Sequence, residues 1–129
     1  MEDALEAVRS AQSEGITPGG GATLVYCQDF QIEASNEDEL IGANIIRASL
    51  EAPIRQMAGN ADQSADLILD KMRNGSHDCM LGWDFVNEKL VDMFDAGIVD
   101  PAKVTRVALQ NAISVSSILI TTSNAIIEE

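Results

Sequence analysis

Three consecutive glycines, Gly19, Gly20 and Gly21, form the stretch whose composition best suits a binding role. They follow Gly15-Ile16-Thr17-Pro18 and precede the apolar run Ala22-Thr23-Leu24-Val25-Tyr26. A backbone without Cβ atoms adopts positive φ angles at no steric cost and lets another group approach the main chain. A helix beginning at Gly21 or Ala22 would offer unpaired N–H groups to an anion or a sugar hydroxyl. Taken alone, the pattern is more typical of a tight turn between packed helices than of a binding loop.

The composition limits the classes of partner. The chain has 129 residues, enough for one domain with a modest core, and 46% of them are hydrophobic, which argues against a disordered tail. The formal net charge of −13 would repel nucleic acids and anionic membranes, and otherwise serves solubility. We find neither a signal peptide nor an apolar run of membrane-spanning length.

Cysteine and histidine predict no metal ligands. Cys27 and Cys79 are far apart in the sequence, and their spacing fits neither a disulfide framework nor a metal site. We therefore expect two reduced thiols in a cytoplasmic protein. His77 lies in the polar segment Asn74-Gly75-Ser76-His77-Asp78, and its isolation favours a surface residue over a ligand.

The spacing of apolar residues predicts a mainly α fold, a helical bundle of about five to six helices with at most short strands. Residues 2–14 predict a first helix, which Gly15 would end. Residues 21–32 predict a second helix.

The third predicted helix has the strongest apolar face. Asn36 is expected to cap it, with Glu39 completing a capping-box-like pattern. Pro53 predicts a kink or break near residues 50–52. We expect this helix to be central to the core. Its apolar face consists of Leu40, Ala43, Ile46, Leu50, Ile54 and Met57.

The helical pattern restarts at residues 60–62 and ends at residues 74–76. Residues 79–84 predict a short strand, and residues 85–97 a brief helix that Gly97 closes.

The last long helix has a clear start signal. Asp100 is expected to act as its N-cap and Pro101 to fill its first position. The helix would run to about Thr121, and residues 120–127 could hold a short terminal strand.

Six blocks of sequence occur in a characteristic order. They are Glu2-Asp3-Ala4-Leu5 with Arg9, Glu14-Gly15-Ile16-Thr17-Pro18-Gly19-Gly20-Gly21, Leu50-Glu51-Ala52-Pro53-Ile54-Arg55-Gln56, Gly82-Trp83-Asp84, Gly97-Ile98-Val99-Asp100-Pro101-Ala102-Lys103-Val104-Thr105-Arg106 and Ile120-Thr121-Thr122. In order and near-family spacing these blocks resemble the group I chaperonins, the bacterial GroEL type. The resemblance spans essentially the whole chain, and the block at residues 97–106 is its most specific part.

The resemblance implies a place in a larger subunit. A chaperonin's equatorial domain is built from both ends of its chain, and residues 1–129 resemble its C-terminal half, a single partial domain. Residues 1–14 resemble the end of the connection from the intermediate domain. The threonine-rich phosphate loop and the magnesium-binding aspartate of the family would then belong to an N-terminal half outside this sequence.

Matching positions give the candidate site residues. Asp3 resembles the carboxylate that positions or activates the water attacking the γ-phosphate of ATP, because a carboxylate accepts a hydrogen bond from that nucleophile. Gly20 resembles the glycine whose backbone lies against the nucleotide. Asp84, Phe85 and Val86 occupy the positions that flank the adenine.

One further position completes this set. Asp100 resembles the residue that binds the ribose hydroxyls, and it could also cap a helix because it has two oxygens. Phe85 and Val86 depart from the family, which often has two alanines there, and Pro18 stands where a small residue is more common. These departures concern the shape of the base pocket and the stiffness of the glycine loop.

The resemblance implies part of an ATP-dependent chaperonin that assists protein folding. ATP and Mg²⁺ would bind the full-length protein, with none expected on this chain alone, and ATPase activity would need the whole subunit. The implied partners are the missing N-terminal equatorial half, the other subunits of a homo-oligomeric ring and, through absent domains, a co-chaperonin and unfolded polypeptides. Neither nucleic acid nor membrane is expected.

Two other interpretations stay open. The chain could be a non-enzymatic helical oligomerisation or interaction module, because half of a two-part domain would expose apolar surface. A small phosphate-binding enzyme built on the glycine loop ranks last, because no Lys, Arg or His accompanies the glycines. Arg9 and Arg55 are the nearest basic candidates, and each is more simply a surface or salt-bridge residue.

Overall fold

The computed structural model describes residues 1–75 and 78–122, which form a mainly α fold with short strands, as predicted. The helices are α1 (Glu2–Glu14), α2 (Ala22–Tyr26), α3 (Glu37–Ser49), α4 (Ala52–Asn60), α5 (Ala65–Asn74) and α6 (Ala102–Thr121), with a 3-10 helix at Cys27–Asp29. The strands are β1 (Ile16–Pro18), β2 (Leu81–Asp84), β3 (Lys89–Asp92) and β4 (Val99–Pro101). β1 pairs with β4, and β2 pairs with β3.

The chain divides into two compact units. Unit 1 consists of Met1–Ile16 and Asp100–Glu129, and unit 2 consists of Thr17–Val99.

Unit 2 is built around one apolar cluster to which α2, α4, α5 and β2 contribute. Side chains three and four residues apart on α4 and α5 point to the same side, so each helix buries one stripe. Trp83 of β2, only 6% exposed, packs against these stripes. The cluster comprises Ala22, Val25, Ile54, Ala58, Ile68, Leu69, Met72 and Trp83.

The predicted start of the third helix is confirmed. The Asn36 side chain accepts a hydrogen bond from the Glu39 N–H at 2.9 Å, which satisfies one free donor of the first turn. The Glu39 carboxylate accepts from the Ser35 N–H at 2.7 Å. The Glu39 side chain therefore bonds the residue before the N-cap, and not the N-cap residue itself as in a standard capping box.

The predicted break at Pro53 is also confirmed, because α3 ends at Ser49 and α4 begins at Ala52. The expectation that the apolar face of the third predicted helix is central to the core is confirmed only in part. Ala43, Leu50 and Ile54 are buried, whereas Leu40 is 47% and Ile46 37% exposed. Within α3 itself, Ala43 is the one buried residue. The break separates α3 from α4, so their apolar residues do not form one continuous buried face.

The predicted second helix, residues 21–32, is too long. α2 ends at Tyr26 and continues as one 3-10 turn. The side-chain amide of Gln28 donates to the Arg47 carbonyl at 2.7 Å, and the Arg47 guanidinium donates to the Phe30 carbonyl at 3.1 Å. These tertiary hydrogen bonds accompany the end of the helix.

The helical restart predicted at residues 60–62 begins later than expected. α4 continues to Asn60, Asp62 adopts a positive φ of 55°, and α5 starts only after Ser64, whose side chain accepts from the Leu67 N–H. The end of this helix at Asn74 is confirmed.

The strand predicted at residues 79–84 is confirmed as β2, but the brief helix at residues 85–97 is wrong. β2 and β3 form an antiparallel hairpin in which Leu81 faces Asp92 and Asp84 faces Lys89. Short apolar runs do not distinguish helix from strand by spacing alone. Here the Asp84 side chain closes a turn, and Glu88 has a positive φ of 54°, so the chain reverses instead of coiling.

In unit 1, α1 and its stop at Gly15, which has a φ of 87°, match the prediction. The N-cap prediction for Asp100 is wrong. Asp100 lies in β4, and Pro101 occupies the cap position with an extended backbone and no side-chain cap bond. Pairing of β4 with β1 keeps these residues extended, so α6 begins one residue later than predicted.

α6 ends at Thr121 as predicted. Residues 123–127 of the predicted terminal strand, and His77, lie outside the described residues. The expectation that no apolar segment reaches membrane-spanning length is wrong by length and composition, because α6 has 20 residues and a mean hydropathy of 1.2. Core helices of soluble proteins pass the same test but are mostly buried, whereas none of this window of α6 is buried among the described residues.

Candidate functional site

The glycine loop of unit 2 makes a tight turn whose outer glycines are in close contact with their surroundings. The Gly19 N–H donates to the Ile98 carbonyl at 2.9 Å, and a Cβ at Gly19 would lie 3.1 Å from that oxygen. Gly21 has a φ of 78°, and a Cβ there would lie 3.1 Å from the Ile54 backbone nitrogen. Packing therefore disfavours a side chain at both glycines, and the positive φ of Gly21 disfavours one there further, as the turn interpretation of the sequence proposes.

Gly20 lies in the middle of this turn and has a φ of 63°. A Cβ at Gly20 would lie 3.2 Å from Met93 Cε and 3.6 Å from the Trp83 carbonyl oxygen. Trp83 immediately precedes Asp84, so the structure brings Gly20 close to the strand that leads into three other predicted site residues.

The start of α2 does not support a separate anion site. α2 has five residues, and its first N–H, that of Ala22, donates to the Gly19 carbonyl at 3.2 Å. The Val25 N–H donates to the Gly21 carbonyl at 3.4 Å. The hypothesis that free N–H groups at Gly21 or Ala22 bind an anion is therefore not supported by the geometry of this short helix.

The 84–86 turn at the end of β2 is organised by the Asp84 carboxylate. Asp84 is 7% exposed, and its Oδ1 accepts from the N–H groups of Val86 at 2.9 Å and Asn87 at 3.1 Å. Its Oδ2 accepts from the Asn87 side-chain amide at 2.7 Å. The Asn87 side chain, followed by the Asn87 N–H, holds the pKa of Asp84 below its ordinary value. The carboxylate is thus ionised and hydrogen-bonded within the turn.

Phe85 and Val86 differ in what they can offer a ligand. Phe85 is partly buried against the apolar cluster, and its carbonyl accepts from the Gln63 side-chain amide at 2.9 Å. The Val86 side chain is 89% exposed. Of the two, Val86 is the apolar side chain available to a flat aromatic ligand.

Unit 1 carries the other two predicted residues, Asp3 and Asp100. Asp3 is exposed in the first turn of α1. The opposite end of α1 meets the start of α6, where the Ala102 N–H donates to the Gly15 carbonyl at 3.0 Å. At a rise of 1.5 Å per residue, α1 spans about 16 Å from Asp3 to Glu14. The structure therefore places Asp3 and Asp100 far apart within unit 1.

The environment of Asp100 differs from that of Asp84. Asp100 is exposed by surface area, yet desolvation by the surrounding protein raises the pKa of its carboxyl. Asp84 has its pKa lowered by donors within its own turn. The carboxylate of Asp100 is therefore the more easily protonated of the two.

An ion pair holds α1 against α6. Arg106 Nε donates to Glu14 Oε2 at 3.0 Å, and Arg106 Nη2 donates to Glu14 Oε1 at 2.6 Å. This two-pronged bond lowers the pKa of Glu14. It aligns the helix that carries Asp3 with the helix that follows Asp100.

Within residues 1–75 and 78–122, no three His, Cys, Asp or Glu side chains come together as a set that could hold a metal ion. Cys27 and Cys79 are both exposed free thiols, and partial burial raises the pKa of Cys27.

The match to a known protein family extends over the whole chain. The model of the TCP-1/cpn60 chaperonin family matches residues 1–129. This chain belongs to the chaperonin family. It is also similar to a crystal structure of a group III chaperonin in the open state, with a TM-score of 0.74 and 27% sequence identity over 91% of this chain. The chain covers 25% of that chaperonin's length.

Two residues of this chaperonin chain that shape the candidate site escaped the sequence analysis. Asn87 follows Asp84 by three residues, a spacing typical of side-chain-closed turns, so the signal was present in the sequence. Gln63 is distant in sequence from Phe85, and only the turn between α4 and α5 brings them together. No local pattern could have predicted that contact.

Proposed function

We propose that this chaperonin chain supplies part of the ATP site in a full-length subunit that assists protein folding. The observation that carries the proposal is the proximity of Gly20 to the Trp83 carbonyl, 3.6 Å from an added Cβ. The two segments that the family resemblance assigns to the nucleotide, the glycine loop and the 84–86 turn, are therefore neighbours in unit 2. The blocks at residues 14–21 and 97–106 support a subunit of group I type.

Each candidate residue has a role that suits its chemistry. The backbone of Gly20 lies against the nucleotide, and Val86 contacts the adenine. The Asp84 carboxylate keeps the turn in shape through the N–H groups of Val86 and Asn87. Asp100 binds the ribose hydroxyls, and Asp3 orients the water that attacks the γ-phosphate.

The described residues fit the base and sugar of ATP better than they fit the phosphates. Gly20 has a positive φ and little room for a Cβ, which suits a position where the main chain itself makes the contact. The glycine loop includes no Lys, Arg or His, and Asp3 and Asp100 would repel a triphosphate. We therefore assign the phosphate and Mg²⁺ ligands to the N-terminal equatorial half, and Mg²⁺ would neutralise the phosphates there.

Exposed apolar side chains favour assembly with further chain. They lie on α1, α3 and α6, and such surface is covered in a stable assembly. We propose that the N-terminal equatorial half and the neighbouring subunits of a cytoplasmic homo-oligomeric ring cover it. Co-chaperonin and unfolded polypeptide would be bound by other domains. The most exposed of these side chains are Leu5, Val8, Ile41, Ile45, Val104, Val115, Ile118, Leu119 and Ile120.

Isothermal titration calorimetry tests the proposal. We expect the full-length subunit to bind ATP with Mg²⁺ at micromolar concentrations, and the 129-residue chain alone to bind no better than millimolar, about −4 kcal/mol. A full-length subunit that binds no ATP would refute the function. Micromolar binding by the isolated chain would refute the division of the site between two halves.

The same exposed surface favours one alternative, a non-enzymatic helical oligomerisation module. That alternative predicts a defined oligomer of the isolated chain with no nucleotide dependence in the full-length subunit. Light scattering with and without ATP distinguishes the two. An oligomer of fixed size with and without ATP, together with no heat of ATP binding by the full-length subunit, would favour the module.

A further inference from the structure

We propose that Gln63 is a positioning residue that fixes the 84–86 turn and thereby sets the affinity of the site for the adenine base. The inference rests on the proposed ATP-binding function. It concerns a residue that makes no contact with the nucleotide in that proposal, and that acts through the Trp83 indole before Asp84 and the Phe85 carbonyl after it.

The side-chain amide of Gln63 connects the two residues that flank Asp84. Its Oε1 accepts from Trp83 Nε1–H at 2.8 Å, and its Nε2 donates to the Phe85 carbonyl at 2.9 Å. The Trp83 indole can only donate and the Phe85 carbonyl can only accept, so the amide has one orientation that satisfies both. Gln63 therefore fixes the strand residue before Asp84 and the turn residue after it.

Gln63 is itself held in place by the turn between α4 and α5. Its N–H donates to the Ala58 carbonyl at 2.8 Å, after the positive-φ residue Asp62. The next residue, Ser64, caps α5. The backbone on both sides is thus constrained by helix ends, and Ala58 belongs to the buried cluster of unit 2. The Gln63 side chain therefore extends to the 84–86 turn from a backbone whose position is fixed.

Hydrogen bonds of two kinds fix the turn. Within the turn, Asp84 accepts from the N–H groups of Val86 and Asn87, and from a distant part of the chain Gln63 donates to the Phe85 carbonyl. Loss of the Gln63 amide would leave the buried indole N–H of Trp83 and the Phe85 carbonyl without these bonds. Val86, the exposed apolar side chain of the turn, would then lose its fixed position relative to Gly20.

Loss of the Gln63 amide should therefore weaken only the binding of the adenine base. The phosphates are assigned to other parts of the subunit, so a shift of the 84–86 turn should weaken binding of ATP without weakening binding of inorganic tripolyphosphate. A purely structural role for Gln63 would affect the two ligands alike.

The test uses the full-length subunit and compares Kd values for ATP and tripolyphosphate. We expect Gln63→Ala to raise the Kd for ATP about tenfold, the scale of the one hydrogen bond that acts directly on the turn, with the Kd for tripolyphosphate unchanged. Gln56→Ala is the matched control, because Gln56 is an exposed glutamine of α4 that bonds only to Asn60 among the described contacts. It should alter neither Kd.

A second variant separates the two hydrogen bonds and covers a folding failure of the first. In Gln63→Glu, an ionised carboxylate still accepts from the Trp83 indole but cannot donate to the Phe85 carbonyl. We expect it to weaken ATP binding as Gln63→Ala does while retaining the tripolyphosphate affinity. ATP affinity within twofold of wild type in Gln63→Glu would overturn the proposal.

The remaining outcomes are also decisive. A wild-type subunit that binds no ATP would refute the proposed function, and this inference with it. A wild-type subunit that binds ATP, together with an unchanged ratio of ATP to tripolyphosphate affinity in both Gln63 variants, would overturn the role of Gln63 alone.

Discussion

The two units of this chain are stabilised in different ways. Among the described residues, every buried side chain belongs to unit 2, where α2, α4, α5 and β2 share one cluster. The described residues of unit 1 include no buried side chain, and the contacts between its two helices include the Glu14–Arg106 ion pair and the hydrogen bond from Ala102 to Gly15. Unit 2 therefore has a core of its own, whereas the described helices of unit 1 meet through half-buried and exposed side chains.

The contrast also separates the candidate site residues. Gly20 and the 84–86 turn rest on the core of unit 2, which fixes them through Met93, Gln63 and Trp83. Asp3 and Asp100 belong to unit 1. The part of the site that we propose for the base is therefore held by the core of unit 2, whereas Asp3, the carboxylate proposed to orient the water, lies on a helix with no buried residue.

The largest expected effect compares two leucines truncated in the same way. Leu69 in unit 2 is 1% exposed and Leu119 in unit 1 is 69% exposed. We expect Leu69→Ala to lower the free energy of unfolding by about 2–5 kcal/mol, because it leaves a cavity in the cluster. Leu119→Ala should change it by less than about 0.5 kcal/mol. Urea unfolding of the chain, followed by circular dichroism, measures both, and equal losses would refute the contrast between the units.

A smaller effect is expected from the polar network beside the core. Glu51 accepts hydrogen bonds from Gln28 at 3.1 Å, from Arg55 at 2.8 Å and from Arg73. Glu51→Gln should lower the free energy of unfolding by about 1–3 kcal/mol, because its donors lose a charged acceptor. Glu37→Gln, at an exposed position in the first turn of α3, is the control. An equal loss in both variants would contradict a specific role for Glu51.

The effect of Glu51→Gln on the free energy of unfolding should depend on pH. Burial alone would raise the pKa of Glu51, but the hydrogen bonds from Gln28, Arg55 and Arg73 outweigh it and hold the pKa below the ordinary value of 4.5. A lowered pKa in the folded state stabilises the fold above the unfolded pKa, and this contribution is lost as the pH falls through the folded value. The stability difference between wild type and Glu51→Gln should therefore be constant near neutrality and shrink below pH 4.5. A difference that stays constant in acid would refute the assignment.

The smallest effect is expected in unit 1. Arg106 is 47% and Glu14 34% exposed, so solvent and salt screen their attraction. Glu14→Gln should reduce helical content at low salt, and high salt should remove the difference from wild type. Circular dichroism at both salt concentrations measures this. If Glu14→Gln lowered the free energy of unfolding more than Glu51→Gln does, the ion pair, and not a core, would be the main source of stability.

Local signals explain which elements could be predicted from the sequence. The bounds of α1, the Asn36 cap and the break at Pro53 depend on neighbouring residues, and all three were predicted correctly. The β2–β3 hairpin was missed in part because apolar spacing over a short run fits a helix as well as a strand. The burial of α3 depends on distant contacts, so the expectation from its apolar face is confirmed only in part.

The candidate site divides in the same way. The family's motif positions are visible in the sequence, and the roles assigned to Asp3, Gly20 and Asp100 remain predictions. The hold of Gln63 on the 84–86 turn arises from tertiary structure, because a turn between two helices brings its amide to β2.

The most direct test of the central claim is to locate the adenine base on the chain. The full-length subunit is irradiated with 8-azido-ATP, and the modified peptide is identified by mass spectrometry. The account predicts a label within residues 84–86 that excess ATP abolishes. A label that ATP removes but that lies wholly outside this turn would contradict the assignment of the base to unit 2.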